Sequence, residues 1–175
     1  KFKLSINKSL ELWEVATVYK KENLDLGRHS KTEIIGSIST PLTYQLNDKS
    51  NFTLAPRISF LPTKIGSSDN IGNFYGNNFS LGFGTDLKIK KDFHFLSSYS
   101  FQLGPGYNSF DQSLEFSRND IYNFGFKWDP NPRLNLRASI TNAFGETPST
   151  GHLTIPSGNL PLYKLSLIMN PGLPD

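Results

Sequence analysis

The sequence predicts an all-β fold, an antiparallel up-and-down transmembrane β-barrel of about 8 to 10 strands or a slice of a larger one, and three observations carry that prediction. Apolar and polar residues alternate with period two over long stretches. Tight polar turns recur at an interval of roughly 40 residues, which is two membrane spans plus two connections. Along the seven arms from residue 34 to residue 169 the apolar face carries no charge between its ends, while the opposite face is small and polar.

The clearest arm places Leu81, Phe83, Thr85, Leu87 and Ile89 on one face and Gly82, Gly84, Asp86, Lys88 and Lys90 on the other. A turn at Lys91-Asp92 follows, and Phe93, Phe95, Ser97, Tyr99, Phe101 and Leu103 then alternate with His94, Leu96, Ser98, Ser100, Gln102 and Gly104. The same unit recurs with Tyr122, Phe124, Phe126 and Trp128 leading into Asp129-Pro130-Asn131-Pro132, and Leu134, Leu136, Ala138, Ile140 and Phe144 returning. Proline has no N–H and stops the ladder at that turn. A third hairpin runs from Ile34, Ile38, Leu42, Tyr44 and Leu46 through Asn47-Asp48-Lys49-Ser50 to Phe52, Leu54, Ile58 and Phe60. Pro41 and Pro56 within these arms predict bulges or unpaired positions.

Further tight turns are expected at Asn7-Lys8-Ser9 and Asn170-Pro171-Gly172, and long loops at residues 21–30, 63–76, 105–119 and 146–159, where Gly, Ser, Asn and Pro gather. Short connections at one end and long ones at the other are the pattern of outer-membrane barrels. The arms amount to eight strands from about residues 10–20 to 160–170, with residues 1–6 as a ninth. Both ends of the eight fall on the tight-turn side, which fits a closed eight-stranded barrel and equally a slice of a longer one. Residues 1–175 form a single domain. Lys1 in place of Met reads as a processed or excised product.

Alternation alone also suits a soluble sandwich with an aromatic core, so the contents of the faces decide. A soluble barrel clothes its exterior in Lys, Glu and Asp, whereas here the non-apolar face holds Ser37, Ser39, Ser59, Gly82, Gly84, Ser98, Ser100, Gly125 and Ser139. Aromatic residues gather at arm ends, Tyr44, Phe52, Phe93 and Trp128 beside the tight turns and Phe60, Phe101, Tyr122 and Phe144 toward the long loops. Two interfacial girdles would look like this. No apolar run approaches the roughly 20 residues a membrane-spanning helix needs, so any membrane role falls to strands.

The chain has no cysteine, which removes disulfides and thiolate chemistry. Its net charge of +3 is spread along the sequence, which gives nucleic acid no patch to bind. His29 beside Ser30 and Glu33, and His152 beside Ser149 and Glu146, carry the residue types of a rim-located lipid-modifying enzyme. Such neighbours are common, and both histidines read as solvated loop residues. No catalytic residue, metal site or cofactor is therefore expected. Arg57, Lys88, Lys127, Arg133, Arg137 and Lys164 fall on the polar face against Glu33, Asp86 and Asp129. They predict a basic lumen that prefers small anions, either conducting or plugged by its own charges. The expected function is a non-enzymatic pore or envelope component of the outer membrane with the lipid bilayer as partner. The competing readings are a soluble carbohydrate-binding module using aromatics of residues 71–79 or 105–110, and the rim enzyme. No feature of the sequence sets an oligomeric state.

The stretch Trp128-Asp129-Pro130-Asn131-Pro132-Arg133-Leu134, with Thr141-Asn142-Ala143-Phe144-Gly145-Glu146-Thr147-Pro148 and Leu153-Thr154-Ile155-Pro156-Ser157, resembles the closing repeats of large, uncharacterised β-barrel-like proteins of cyanobacteria. The likeness covers about residues 120–175 and transfers no catalytic or ligand residue. It implies an outer-envelope barrel that is part of a longer chain. The sequence departs from the usual outer-membrane pattern by ending Met169-Asn170-Pro171-Gly172-Leu173-Pro174-Asp175 rather than on an aromatic residue.

Overall fold

The computed structural model describes residues 1–21, 24–67, 70–111, 115–131, 133–154 and 160–169, with the backbone alone described for 15–21, 24–31, 65–67 and 70–72. Among them every regular element is a strand: β1 (Phe2–Leu4), β2 (Asn7–Lys21), β3 (Leu24–Ser39), β4 (Leu42–Asn47), β5 (Ser50–Phe60), β6 (Lys64–Ser67), β7 (Asn70–Asn73), β8 (Asn78–Lys90), β9 (Phe93–Pro105), β10 (Ser109–Phe110), β11 (Phe116–Ser117), β12 (Ile121–Asn131), β13 (Leu134–Thr141) and β14 (Leu162–Met169). The fold is all-β and every pairing is antiparallel.

Ten of the strands form one sheet, and they join into eight arms. β1 and β2 keep one register against β4 and β3, with Leu4 opposite Leu42 and Asn7 opposite Ser39, so nothing is inserted across the break. The break falls where Pro41, lacking an N–H, interrupts the ladder, and Ser5 N donates to Pro41 O across it at 3.0 Å. β5 likewise pairs with β4 through Leu54 and with β3 through Arg57, without a shift at Pro56. The prolines thus leave gaps in the pairing and no bulge. Asn7-Lys8-Ser9 is not a turn but lies inside β2, and residues 1–6 begin the first arm instead of forming a ninth. The expected turn at Asn170 lies outside the described residues.

The remaining arms follow sequence order, β5, β8, β9, β12, β13 and β14, as an up-and-down meander. The three tight hairpins form where the turn chemistry placed them. Phe93 pairs with Lys90, Leu134 with Asn131, and Phe52 with Tyr44. Each incoming strand carries an irregularity just before its turn, between Gln45 and Asn47, Lys88 and Lys90, and Trp128 and Asn131. A bulge there adds twist and closes the connection.

Segments expected as long loops are partly ordered. Lys21 and residues 24–30 are strand, because β2 and β3 pair as far as Lys21 opposite Leu24. β6 and β7 form a small hairpin within 63–76, and β10 pairs with β11 within 105–119. Phe144 lies past the end of β13 rather than on it.

The sheet has two unlike faces. Arg57 on β5 and Lys164 on β14 stand five strands apart, yet both line one cavity, so the sheet curls with its polar face inward. Its outer strands, β1–β2 and β14, do not pair with each other among the described residues, and the sheet is open. The outward face is apolar and exposed: Leu54, Phe83, Phe101, Phe124, Phe126, Ile140 and Leu165 all show large fractions of their surface, Leu165 as much as 75%. The buried apolar residues sit elsewhere. Ile35, Leu61, Phe74, Tyr75 and Leu153, with Trp13, Phe110 and Phe116 against them, form a cluster at the long-loop end of the inner face. Its rings meet edge to face, Phe74 against Tyr75 at 4.7 Å and Tyr75 against Phe116 at 5.6 Å.

Candidate functional site

The inner face of the curled sheet encloses a cavity of about 360 Å³. Alternation on β5, β8, β9, β12 and β13 delivers Thr53, Ala55 and Arg57, then Ser80, Gly82 and Gly84, then Ser98 and Ser100, Asn123, and Ser139 with Thr141. Small side chains leave the space that larger ones would fill. The glycines contribute differently. A Cβ on Gly84 would stand 3.6 Å from its nearest neighbour, in ordinary contact, whereas one on Gly125 would meet Ala138 O at 2.5 Å and Ser139 Cβ at 2.7 Å. Gly125 marks the tightest approach of neighbouring strands on this face, and Gly84 widens the cavity.

The segment from Asn142 to Thr154 crosses the long-loop end of this space. Its near end is fastened to the sheet by Asn142, whose Oδ1 accepts from Tyr122 N at 2.9 Å and whose Nδ2 donates to Asp120 O at 2.8 Å. Its middle reaches the first arm. Ser149 N and Oγ donate to Glu11 Oε1 on β2 at 3.2 and 2.8 Å, and Ser149 Oγ also meets Ser9 Oγ at 2.8 Å. Beyond Ser149, Thr154 N donates to Asn108 O, and Asn108 Nδ2 to His152 O, each at 2.8 Å. At Gly145 a Cβ would lie 2.0 Å from Thr150 O, so only glycine permits this fold of the segment.

His152 is therefore no solvated loop residue; it is 3% exposed. Its Nδ1 stands 3.3 Å from Ser59 Oγ, and its Nε2 has no hydrogen-bond partner among the described residues. Burial, together with the charge of nearby Arg57, pushes its pKa down to about 3, so the ring is neutral at physiological pH. The side chains of its sequence neighbours do not join it, and only the Ser149 backbone reaches the ring among them. Ser149 is committed to Glu11, and Glu146 Oε1 lies 3.8 Å from Lys164 Nζ. The His152–Ser149–Glu146 grouping of a rim enzyme is not assembled, and the His29 side chain lies outside the described residues.

The six basic residues expected on the inner face divide into three groups. Arg57 and Lys164 line the cavity. Lys127 lies toward the tight turns, where it pairs with Asp129 at 2.7 Å, while Asp129 also accepts from Asn135; near it His94 Nδ1 meets Asp86 at 2.6 Å, with Lys88 on the same face. Arg137 is exposed and borders a neighbouring space with Lys164 and Glu146, and Arg133 is exposed beside its turn. Arg133 does not line the cavity, because the turn carries it past the end of the strand. Of the arm-end aromatics, Tyr44 pairs with Phe52 and Phe93 with Trp128. Phe60, Phe101 and Phe144 are exposed, and Tyr122 stacks on Phe124 at 6.1 Å.

Sequence reasoning missed Glu11 as the anchor of the crossing segment and the aromatic cluster that closes the long-loop end. Phe74 and Tyr75, expected as carbohydrate-binding aromatics, are buried in that cluster. The signal was present, since five aromatic residues in two segments read as long loops are more than such loops carry without burying some of them. A scan of protein-family models and searches of curated proteins and of solved structures found no match to this chain.

Proposed function

We propose that this chain forms the wall of an outer-membrane β-barrel, complete or partial, as a non-enzymatic envelope component with a plugged, anion-preferring lumen. One observation carries the reading: the sheet is inside out. Its outward face is a continuous apolar surface of Phe, Leu, Ile and Tyr, while Ser59, Ser80, Asn78 and Gln102 are buried on the inward face. A water-soluble domain keeps exposed apolar patches to a few hundred square ångströms, and larger ones mark a partner or a membrane. Each such side chain gains about 1.5–3 kcal/mol on leaving water, which is ample reason for this face to be covered.

Strand length supports a bilayer as the cover. β5 and β12 each have 11 residues. At about 3.4 Å per residue and a tilt near 45° they span roughly 26 Å, the height of the apolar band on such barrels. No helix among the described residues is long and apolar enough to cross a membrane, which leaves strand crossing open. The aromatic cluster and the crossing segment fill the long-loop mouth, which favours a plug over a wide channel.

Purification tests the reading directly. The chain is expected to need detergent to stay monodisperse and to insert into vesicles. In planar bilayers conductance should be small and, in a salt gradient, favour anions at low ionic strength. A folded, monomeric chain in plain buffer would end the membrane assignment, and a large cation-selective conductance would end the anion-preferring plug.

A further inference from the structure

We infer that the inner cavity at Arg57 is a binding site for a small oxyanion of the phosphate or sulfate class. The inference deepens the lumen reading above and rests on this face being a lumen; it does not depend on what covers the outer face.

Among the described residues the cavity carries fixed positive charge without negative charge. Arg57 and Lys164 both line it, and no described Asp or Glu does. Arg57 is partly buried on β5 and forms no ion pair with any described carboxylate. Its contrast with Lys127, which holds Asp129 at 2.7 Å, shows that the fold supplies partners elsewhere on the same face. Among the described residues Lys164 has only Glu146, at 3.8 Å, and Glu146 is itself mostly exposed. A guanidinium in such a place presents a planar fork of donors matched to two oxygens of one oxyanion.

Neutral groups complete the site. His152 lines the cavity almost wholly buried, and its Nε2 has no partner among the described residues. Asn123 Oδ1 also lines it without one, and its amide can turn to present either oxygen or nitrogen. Buried polar atoms without partners are rare because each costs stability, and they concentrate where a ligand or ordered water completes them. Ser80, Ser98, Ser100 and Ser139 add hydroxyls around the wall. Hydrogen phosphate offers both a donor and acceptors, so it satisfies Nε2 in either ring tautomer, while sulfate offers acceptors alone. The volume of about 360 Å³ admits such an ion with its water, or a small monoester.

The test is calorimetric titration of the full folded chain with sodium phosphate at low ionic strength, with sodium chloride as the control titrant. One saturable phosphate site is expected and none for chloride. R57Q should weaken it by about tenfold or more and K164Q by about threefold, because the first loses the bidentate fork and the second a point charge. R133Q, which removes an equal charge outside the cavity, should titrate like wild type. Circular dichroism checks that each variant folds. Where R57Q does not fold, R57K keeps the charge and loses the fork, and about a fivefold loss is expected. A wild-type chain that takes up no phosphate overturns the site, as does wild-type affinity in the Arg57 and Lys164 variants. If the chain proves soluble, the same titration in plain buffer judges the site apart from the membrane reading.

Discussion

The two faces of the sheet are built from the same strands and solve opposite problems. On β8, Phe83 points outward and is 46% exposed, while its neighbours Gly82 and Gly84 point inward against Ser98 and Ser100. The outward face is largely aliphatic and aromatic, with an occasional Thr or Ser, and makes few specific demands on most of its residues. The inward face is particular: Ser59, His152, Asn108 and Glu11 each have named partners, and a glycine at 125 is required by a backbone 2.5 Å away. A surface that only has to be apolar tolerates exchange among apolar residues, whereas one that holds hydrogen bonds and a cavity does not. The difference teaches where chemistry resides, since the inner face holds Arg57 in a cavity without a carboxylate partner among the described residues.

The largest effect should come from moving a charge between these faces. Lys in place of Phe83 or Ile140 should cost about 2–4 kcal/mol of stability in a bilayer if those positions meet lipid at mid-depth. The same residue at Ser98, one position along from Tyr99 but facing the cavity, should cost little. Urea titration of vesicle-inserted protein reads the contrast. Equal costs at Phe83 and Ser98 would erase the distinction between a lipid face and a lumen face.

Within the inner face, Gly125→Ala and Gly84→Ala separate crowding from space. The first forces a methyl against Ala138 O and should destabilise by about 1–3 kcal/mol, while the second meets nothing closer than 3.6 Å and should be near neutral. Denaturant midpoints compare the two. A near-neutral result at Gly125 would mean that β12 and β13 are more loosely packed than these distances require.

Acid should weaken the inner face through His152. Its pKa falls from 6.5 to about 3 on folding, so the unfolded chain binds the proton more readily throughout that window. The stabilisation is complete above pH 6.5 and is lost as pH falls toward 3; Arg57 on β5 is the charged group that faces the ring. Between pH 7 and 5 the loss should be about 2 kcal/mol, before most carboxylates titrate. His152→Asn should flatten this slope, and an unchanged slope in the variant would assign the acid sensitivity to other groups.

How much of this was legible depends on range. Period-two alternation and turn residues act between neighbours in sequence, so the hairpins at Asp48, Asp92 and Pro130 could be read directly, and with them the division into two faces. The first hairpin was misread because β2 and β3 pair through backbone groups across a polar stretch, where the Asp25 and Gly27 signals suggested a loop. The bulges that shift each register by one residue arise from sheet twist, which leaves no local mark. Arg57 was legible as an inward cation. His152 was not, because its burial depends on Asn108 and Ser59, 44 and 93 residues away, and on a segment fastened to Glu11.

That fastening supplies the smallest effect and the most local one. Glu11 Oε1 accepts two hydrogen bonds from Ser149, tying the first arm to the connection between β13 and β14, although the outer strands of the sheet do not pair. Glu11→Gln keeps the shape and an acceptor oxygen but removes the charge that strengthens both bonds, and a charge-assisted bond is roughly twice as strong as a neutral one. The loss should be about 1 kcal/mol, too small to separate cleanly from baseline error in a melting curve. It should be concentrated where the segment is held, so amide exchange at Ser149, Thr150 and Gly151 is the proper readout, with about a fivefold acceleration expected for that energy. The amides of β8 and β9, which take no part in the fastening, should exchange as in wild type. Uniform acceleration across the sheet would mean that Glu11 supports the whole fold, whereas no change at Ser149 would mean that the segment is held by Asn108 and Asn142 alone.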